Sequence, residues 1–520
     1  MEKRVAYFAL FPAVIYLIAA FTPVFAPAYA AELSGYTIDK IIIIRSNVFN
    51  LANPEENTAI GRSANRLHIV TEESFIRNEL LFREGDNFDQ KVLEESERNL
   101  RKHDFLTDVK ITPVLGNKPK TVDIIVSTRD QWSLLIGGTF GGTSESSESG
   151  LDFGEKNLFG MGKSIIYKGR YREGGFAHSY RFKDASLFNT RHLFEVGFDD
   201  EFNENRYEAK LQKPFYSLDT KNSYGAAYER RERSDKDLSF NLERTELFYG
   251  WLYKLGGGDI LRLFLASSIG NQQIMRGGGG YETARDRKVV ATAKFLFNPT
   301  AYKKERYIEK FRQVEDIPLG TTFTVSLGPV LKLLRTASTE LSAEFGAKRI
   351  FSVAENDYFF TSITYRTHDD DFNDEYADLE LRYYLRRLRY QTFLLHLRAS
   401  YLESEVNRFE FGGTEGMRGY NTDEFHGKKQ LIVNLEDRIY SYKSMFSGII
   451  EPGFVLFTDF GNAWDVRTSD EIQRLKGSFG AGLRIALLKA PGISLIRVDY
   501  GRPFDLSRGP VITVGMEGFF

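Results

Sequence analysis

A two-residue alternation of apolar and polar side chains runs from Trp132 to Phe520, and no long helical pattern interrupts it. In the last nine residues one face carries Ile512, Val514, Met516, Gly518 and Phe520, and the other carries Thr513, Gly515 and Glu517. The same alternation recurs at 479–487 and 493–500, with Gly, Asn, Asp and Ser between the segments. The pattern indicates antiparallel strands that each have one apolar and one polar face.

A soluble sandwich and a membrane barrel both produce this alternation. Residues 133–520 number 388, which is long for one sandwich, and the chain ends on an aromatic residue. These features, with the export signal described below, favour a transmembrane antiparallel β-barrel with an apolar outside and a polar lumen. Sixteen strands would leave about 24 residues for each strand and its connection, and fourteen would leave about 28. We therefore expect sixteen strands.

The composition excludes several other classes of protein. The chain has 43 Phe, 27 Tyr and 45 Gly but 27% charged residues, which is too polar for a bundle of membrane-spanning helices. It has no cysteine, which excludes disulfide scaffolds, Cys-ligated zinc, haem attachment through cysteine and thiol catalysis. The net charge of −2 gives no sign of a nucleic-acid partner. No cofactor and no metal site is predicted.

The first thirty residues are typical of a secretory signal peptide. A charged start at 2–4 precedes an apolar stretch at 5–21, and Ala28-Tyr29-Ala30 forms a small-x-small cleavage site. An uncleaved anchor is the alternative, but prolines at 12, 23 and 27 make a permanent helix less favourable. We expect residues 1–30 to be removed on export.

Residues 31–131 are expected to form a small α+β domain. A run of four isoleucines within 38–45 predicts a buried strand, followed by a polar insertion at 47–66. Helices are predicted after Thr71 and after Asp89, each of which could act as an N-cap. Strands at 105–112 and 121–128 form a hairpin. Residues 132–520 then form the barrel, with Trp132–Gly138 as its first strand and Ile512–Phe520 as its last.

Three short motifs are more specific than the alternation. The stretch 411–420, ending in Arg418-Gly419-Tyr420, resembles the Arg-Gly-Tyr/Phe loop of the outer-membrane assembly-factor superfamily, which includes BamA and TamA. Phe457-Thr458-Asp459-Phe460-Gly461 looks like its Phe-x-Asp-x-Gly strand, and Asn157 to Gly162 is similar to its second-strand turn. The strand-helix-helix-strand-strand unit before the barrel looks like one POTRA domain, the periplasmic polypeptide-binding module of the family. BamA-like proteins carry several such units, whereas this chain has room for one.

The resemblance implies that the loop around Arg418 folds into the barrel. Asp459 is predicted to face the lumen, where a carboxylate needs a partner, and Arg418 can supply a two-pronged contact. Tyr420 should pack beside this pair. The alternative is an exposed loop arginine and a solvated luminal aspartate. The predicted anchor of the loop comprises Arg418, Gly419, Tyr420, Glu436, Asp459 and Gly461, and the predicted barrel seam and C-terminal signal comprise Trp132, Val514, Met516 and Phe520.

Other motifs are weak. Gly162-Lys163-Ser164 resembles the end of a phosphate-binding loop, but Asn157 stands where the first glycine is required. There is no Gly-x-Ser-x-Gly elbow, and the histidines show no ligand spacing. Arginines and tyrosines between 382 and 390 form a basic aromatic run, which we interpret as facing the lumen or lipid headgroups. We expect no enzymatic activity.

Together these features predict an outer-membrane barrel with its POTRA-like domain in the periplasm. The resemblance implies that it inserts or translocates polypeptides by pairing client strands with an exposed edge and with a lateral seam, without nucleotide. Its expected partners are unfolded outer-membrane or secreted polypeptides, outer-membrane lipid and periplasmic accessory proteins. The alternatives are a passive channel, a lipid or polysaccharide export pore, and a surface antigen.

Overall fold

The structure is a computed structural model that describes most of residues 33–515. The described range has gaps at 143–146, 173–174, 202–203, 235–237, 256–259, 277–281, 299–300, 333–337, 368–374, 404–407, 414–415, 442, 447, 466–474 and 491–494. The predicted signal peptide lies outside the described residues, as do Met516 and Phe520. Among the residues described, no helix combines the length and the apolar character needed to cross a bilayer.

The N-terminal domain is a three-stranded sheet with helices packed on one face. Its elements are β1 (Thr37–Ser46), α1 (Ala59–Leu67), α2 (Glu73–Glu79), α3 (Gln90–Arg101), β2 (Leu106–Leu115) and β3 (Thr121–Asp130). The sheet order is β1-β3-β2, with β1 parallel and β2 antiparallel to the central β3. In β3 every second residue is buried, and Val122, Ile124 and Val126 pack against apolar residues of α2 and α3 to form the core.

Three local predictions for this domain are corrected by the structure. The polar insertion contains α1, which begins at an N-cap supplied by Thr58. Thr71 does not cap α2, because its hydroxyl binds Asp130, and the N-cap position is Glu72. The isoleucine strand β1 is an edge strand, in which Ile42 and Ile44 are 44% and 48% exposed. The cap of α3 by Asp89, which accepts from the Lys91 N–H at 2.8 Å, is confirmed.

The rest of the chain forms a closed antiparallel barrel. Its strands are β4 (Leu134–Gly142), β5 (Ser147–Leu158), β6 (Lys163–Arg172), β7 (Gly175–Asp184), β8 (Leu193–Glu201), β9 (Glu204–Lys213), β10 (Asn222–Ser234), β11 (Leu238–Lys254), β12 (Ile260–Arg276), β13 (Glu282–Asn298), β14 (Ala301–Glu305), β15 (Glu315–Lys332), β16 (Ser338–Ala354), β17 (Asp357–Thr367), β18 (Glu375–Leu385), β19 (Gln391–Glu403), β22 (Lys429–Tyr440), β23 (Ile450–Trp464), β24 (Lys476–Leu487), β25 (Leu495–Pro503) and β26 (Val511–Gly515). Two short strands, β20 (Phe409–Phe411) and β21 (Phe425–Gly427), form a separate hairpin between β19 and β22.

The barrel has more strands than the sixteen predicted. Among the described residues 21 strands belong to it, and one of them, β14, is a short strand that pairs only beside the start of β15. The prediction failed because many connections are short. Residues 159–162 join β5 to β6, and residues 386–390 join β18 to β19. The antiparallel barrel architecture itself is confirmed.

The alternation of side chains gives the barrel an apolar outer face. In β23, Phe454 and Leu456 are 59% and 54% exposed, while Val455, Phe457 and Asp459 between and beyond them are buried on the inner face. The same outward exposure occurs across the barrel, for example at Leu151, Ile165, Tyr180, Leu211, Leu247, Leu265, Leu327, Leu435, Phe479 and Tyr500. A belt of this kind is suited to contact with lipid chains.

Candidate functional site: the inward-folded loop and the domain junction

The segment that joins β19 to β22 folds into the lumen. Its residues Phe411, Met417, Tyr420 and Phe425 are buried and pack together with Ile432 of the barrel wall. Arg418, between two of them, is 5% exposed and its backbone lies against β24 and β25. A loop that buries apolar residues and an arginine needs polar partners for the guanidinium.

Asp459 is the main partner of Arg418. The Arg418 Nε atom donates to Asp459 Oδ2 at 2.8 Å, and its Nη2 atom donates to Oδ1 at 2.7 Å, so the contact is two-pronged. The backbone N–H of Arg418 donates to the same carboxylate at 3.1 Å. Asp459 is fully buried on the inner face of β23. The predicted contact between loop and strand is therefore present.

Glu436 extends this pair into a chain of alternating charges. One of its oxygens accepts from Arg418 Nη1 at 2.5 Å and the other accepts from Arg438 Nε at 2.7 Å. Asn434 donates to Asp459 Oδ1 at 2.8 Å and to the carbonyl of Gly416 at 2.7 Å. Residues 434, 436 and 438 share the inner face of β22 because they are two positions apart.

An aromatic ring completes the surroundings of the guanidinium. The Arg418 carbon Cζ lies 3.7 Å from the centre of the Phe457 ring, a cation–π contact in a site closed to solvent. Tyr420 was predicted to pack beside the ion pair, but its ring lies edge-on to Phe425 and its hydroxyl donates to the Gly477 carbonyl at 2.8 Å. Tyr420 thus holds the same loop through a different part of the wall.

Glycines allow the loop to approach the wall at backbone distance. Gly419 has φ +86°, and a Cβ atom added there would lie 3.0 Å from the Gly501 carbonyl carbon. A Cβ atom added at Gly501 would lie 2.5 Å from the Gly419 nitrogen. The predicted anchor residue Gly461 has a comparable role, since a side chain there would meet the Met417 sulfur at 3.0 Å. At Gly419 both the backbone angle and the contact therefore favour glycine.

Sequence reasoning missed several members of this site. Phe457 was noted only as part of its motif, and neither it nor Asn434 nor Arg438 was placed in the anchor. Ser478, whose hydroxyl binds the Arg418 carbonyl oxygen, was not singled out. The alternation contained a signal for three of them, because Phe457 shares the face of Asp459, and Asn434 and Arg438 share the face of Glu436. Ser478 and Gly501 are contacts made by folding the loop inward, and no local pattern indicates them.

The junction between the two domains contains the third motif. Residues 159–162 form the turn between β5 and β6, and the Gly160 carbonyl accepts from the Glu72 N–H at 2.9 Å. Gly162 has φ +68°, and a Cβ atom there would lie 2.1 Å from the Phe75 ring. Asn157 donates to the Thr71 hydroxyl at 2.8 Å and accepts from the Gly162 N–H at 2.7 Å. The glycine-rich turn is therefore the surface on which the N-terminal domain rests.

A buried carboxyl group continues this junction. Asp130 accepts from the Thr71 N–H at 2.7 Å and from its hydroxyl at 3.0 Å, and burial raises the pKa of Asp130 to about 6. His68 Nε2 lies 3.6 Å from the carboxyl group. Burial also lowers the pKa of His68 below its ordinary value, so the two groups are not an ion pair at neutral pH. A cavity of about 360 Å³ beside them is lined by His68 and Trp132.

The predicted seam is observed in part. The first barrel strand is β4, which begins at Leu134, whereas Trp132 precedes it and donates its backbone N–H to the Lys489 carbonyl at 2.7 Å. The last described strand, β26, follows β25 and neighbours β4 in the closed order. Val514 lies in β26 opposite Val498, and β26 pairs with β25 over five positions.

Comparison with known proteins identifies the N-terminal domain. Residues 68–129 match the family model POTRA, described as "Surface antigen variable number repeat". They form a POTRA domain. The chain thus combines a POTRA domain with a closed barrel. No curated protein matches the chain.

Several solved structures are similar to the chain. BamA from Haemophilus ducreyi lacking POTRA domains 1-3 is 12% identical with a TM-score of 0.39, covering 92% of this chain and 84% of that chain. CdiB from Escherichia coli is 10% identical with a TM-score of 0.42, covering 99% and 98%. CdiB from Acinetobacter baumannii is 13% identical with a TM-score of 0.40, covering 93% and 73%. The function of this chain is accordingly inferred from its own residues.

Proposed function

We propose that this protein is an outer-membrane barrel that inserts or translocates polypeptides, with its POTRA domain in the periplasm. The observation that carries the proposal is the loop pinned inside the barrel by Arg418, Asp459 and Glu436. A passive pore needs no inward-folded loop whose arginine pairs with two carboxylates of the barrel wall, since each buried charge is costly unless it is paired. The work needs no nucleotide, metal or catalytic residue.

The physical basis of the proposed activity is the exchange of backbone hydrogen bonds. In lipid each unpaired N–H or C=O group costs several kcal/mol, so a strand edge that pairs with a client lowers the barrier to its insertion. The seam between β26 and β4 offers such an edge, because it is the place where the last described strand of the barrel meets the first. The POTRA sheet offers a second edge.

The two edges of the POTRA sheet differ in their capacity to bind a client strand. On the outer edge of β2 the Ile111 N–H already donates to Glu97 at 3.1 Å, and Pro113, two positions on, has no N–H. The first half of β1 is also occupied, because Ile38 exchanges backbone hydrogen bonds with Gly85 and Asp86. The second half, 42–46, is the edge that suits strand addition. The exposed side chains of Ile42 and Ile44 lie on this segment.

Depletion of the protein tests the proposed function. After depletion from growing cells, a census of outer-membrane proteins should show the loss of many barrels if the protein is an assembly factor. Loss of a single secreted product would instead indicate dedicated secretion, a narrower form of the same activity. An unchanged census with a loss of solute uptake or of lipid export would contradict the proposal and identify a pore. Complementation with the Arg418→Ala variant should fail, whereas complementation with Arg398→Ala, at another ion pair of the barrel, should succeed.

A further inference from the structure

The connection between β14 and β15 has a course that the motifs do not explain. We call residues 306–314 the crossbar, and we call the barrel opening that faces the POTRA domain the proximal mouth. Ile308 is fully buried and packs among inner-face residues of β15 to β19, such as Tyr358 and Leu394. Phe311 is buried among inner-face residues of β22 to β25, such as Val455 and Leu495. The connection therefore lies inside the barrel.

The length of the crossbar shows that it does not simply follow the wall. Seven strands lie between β15 and β25 in the barrel order. At about 4.8 Å per strand spacing this arc of wall is about 38 Å long. The crossbar begins and ends at the paired strands β14 and β15, and Phe311 lies four residues before Glu315, a reach of at most about 14 Å. The crossbar therefore leaves the wall and extends into the lumen to bring Phe311 against β22 to β25.

Hydrogen bonds hold the crossbar backbone to the inner wall. The Tyr307 carbonyl accepts from the Thr392 hydroxyl at 3.1 Å, and the Ile308 carbonyl accepts from Arg438 Nη1 at 3.0 Å. The Ile308 N–H donates to Glu315 at 3.0 Å. Arg438 is the arginine that also binds Glu436. The crossbar is thus joined, through two ion pairs, to the loop anchored by Arg418.

Charged crossbar side chains add further contacts. Glu309 accepts from Arg382 at 2.7 Å, and Arg312 lies 3.5 Å from Glu451. The Tyr307 hydroxyl donates to Glu451 at 3.1 Å. The basic aromatic run at 382–390 is therefore explained in part by the crossbar, since Arg382 faces the lumen and binds it.

Helix α3 of the POTRA domain contacts the base of the crossbar, where Lys304 of β14 and Asp316 of β15 are paired residues. Just before the crossbar, Lys304 donates to Glu97 at 2.5 Å. Just after it, Asp316 accepts from Arg101 through two hydrogen bonds of 2.7 and 2.9 Å. Glu97 and Arg101 are one turn apart on α3 and also pair with each other. The pair of Arg101 with Asp316 is shielded from solvent, with side chains 9% and 17% exposed, whereas the Lys304 side chain is half exposed.

We propose that the crossbar is an internal gate of the barrel and that α3 is its latch. With α3 seated on the proximal mouth, the two ion pairs hold the base of the crossbar, and its apolar residues close this side of the lumen. When a client strand draws the POTRA domain away, both pairs break together, and the crossbar, held then only by its contacts with the inner wall, can move. Because Arg438 links it to Glu436 and Arg418, its movement reaches the inward-folded loop. This inference adds a regulatory step to the function proposed above.

Conductance of the purified full-length protein in planar lipid bilayers tests the gate without any client. The Arg101→Glu variant places a third carboxylate beside Glu97 and Asp316, so the latch should open and the mean conductance should rise several-fold. Adding Asp316→Arg restores an opposite-charge pair and should return the conductance towards that of the wild type. The matched control is Lys156→Glu, which breaks another ion pair between the domains, Lys156 with Asp104 at 3.3 Å, that does not involve the crossbar. This control should leave conductance unchanged.

A second variant keeps the test decisive. Replacing residues 307–313 by a Gly/Ser linker of equal length removes the contacts of the crossbar and should raise conductance more than Arg101→Glu. Heat-modified migration in gels verifies that each barrel is folded. Wild-type conductance in both folded variants would overturn the gate, and an equal rise with Lys156→Glu would overturn the specific role of α3. A chain that conducts as expected but fails the depletion census would retain the gate and lose the proposed function, so the two failures are distinguishable.

Discussion

At the scale of single residues, the site depends on how charges are paired inside a barrel. Arg418 contacts two carboxylates, and Asp459 receives three hydrogen bonds from Arg418 and one from Asn434. Removing one member of a buried pair costs more than the pair contributes, because the survivor remains desolvated. The contacts therefore predict unequal effects for the two single substitutions.

Arg418→Ala is expected to destabilise the barrel by about 3–5 kcal/mol. It leaves Asp459 with Asn434 as its side-chain donor, whereas Asp459→Ala leaves Arg418 paired with Glu436 and should cost less. Arg418→Lys should recover part of the loss, since lysine cannot make the two-pronged contact. The free energy of unfolding from urea titration in lipid vesicles measures each change.

A double-mutant cycle tests whether the two residues act together. The combined Arg418→Ala and Asp459→Ala variant should lose less than the sum of the single losses, and simple additivity would contradict the coupling. Arg398→Ala provides the control, because Arg398 binds Asp378 at 2.9 Å with its side chain 40% exposed. Asp378, with its side chain 12% exposed, keeps the Ser400 hydroxyl as a donor, so Arg398→Ala should cost less than Arg418→Ala.

The buried carboxyl group of Asp130 at the domain junction should make the free energy of unfolding depend on pH. Its pKa is raised by burial to about 6 from an ordinary value near 3.8, so folding favours the protonated form. The stabilisation that protonated Asp130 gives to the folded state is fully present below about pH 4. It is lost as the pH rises through 6, and the loss amounts to about 3 kcal/mol by pH 7. Arg45, which donates to the Thr71 carbonyl, favours the ionised form of Asp130, and burial lowers the pKa of the neighbouring His68.

Asp130→Asn should remove this pH dependence while keeping an acceptor for the N–H and hydroxyl of Thr71. The variant should be more stable than the wild type at pH 7 and similar to it at pH 4, as measured by urea unfolding followed through tryptophan fluorescence. His68→Gln is the control for titration of the neighbouring imidazole, and it should retain the dependence due to Asp130. Parallel pH profiles of the wild type and Asp130→Asn would contradict the assignment.

At the scale of elements, the alternation of apolar and polar residues predicted which side chains face the lumen, but it did not predict the number of strands. It assigned the inner face correctly at Asp459 and Glu436, because a two-residue period and one buried face leave no choice of side. It could not give the number of strands, since that depends on connection lengths that no periodicity encodes. The crossbar was missed for the same reason. Residues 306–314 have a mixed composition, and their burial arises from contacts with strands far away in the sequence.

The same limit applies to β1. Four consecutive isoleucines indicate a strand buried on both faces, yet β1 is at the edge of a sheet covered on one face. Edge position is a property of the strand order and not of the strand's own sequence. The exposed Ile42 and Ile44 are therefore consistent with a segment that binds another strand.

A proline in β1 is the test of this edge. The Ile41 N–H points to the open side of β1, where it donates to Glu84, and the Ile43 N–H, two positions on, points to the same side. Ile43→Pro removes that donor, and we expect it to impair client assembly while the barrel remains folded. The matched control is Leu115→Pro on β2, whose edge already lacks a donor at Pro113 and which should have little effect. Assembly rates of a radiolabelled client barrel in vesicles measure both. Equal rates in Ile43→Pro and the wild type would exclude β1 as the template.

At the scale of the whole molecule, the POTRA domain is docked on the barrel at many points around the proximal mouth. Glu95 accepts from the Leu218 N–H at 2.6 Å, Gln131 donates to the Leu488 carbonyl at 3.0 Å, and Lys489 lies 3.2 Å from Glu56. These contacts involve connections on well-separated parts of the barrel. Movement of the POTRA domain should therefore also move the connections at the proximal mouth. One of them, the connection between β24 and β25 that contains Leu488 and Lys489, lies close to the seam between β26 and β4.

Locking the seam tests whether the barrel must open sideways. The chain has no cysteine, so pairs introduced across Leu134–Gly138 and Val511–Gly515 can be screened for a disulfide without background. We expect the oxidised seam pair to stop client insertion and its reduction to restore it, because a client strand can enter only where the first and last strands separate. A disulfide between positions 498 and 514, which face each other in β25 and β26, is the matched control. This control joins strands that stay together during opening, so it should leave insertion unaffected. Insertion by the oxidised seam pair at the rate of its reduced form would show that clients pass through the barrel without lateral opening.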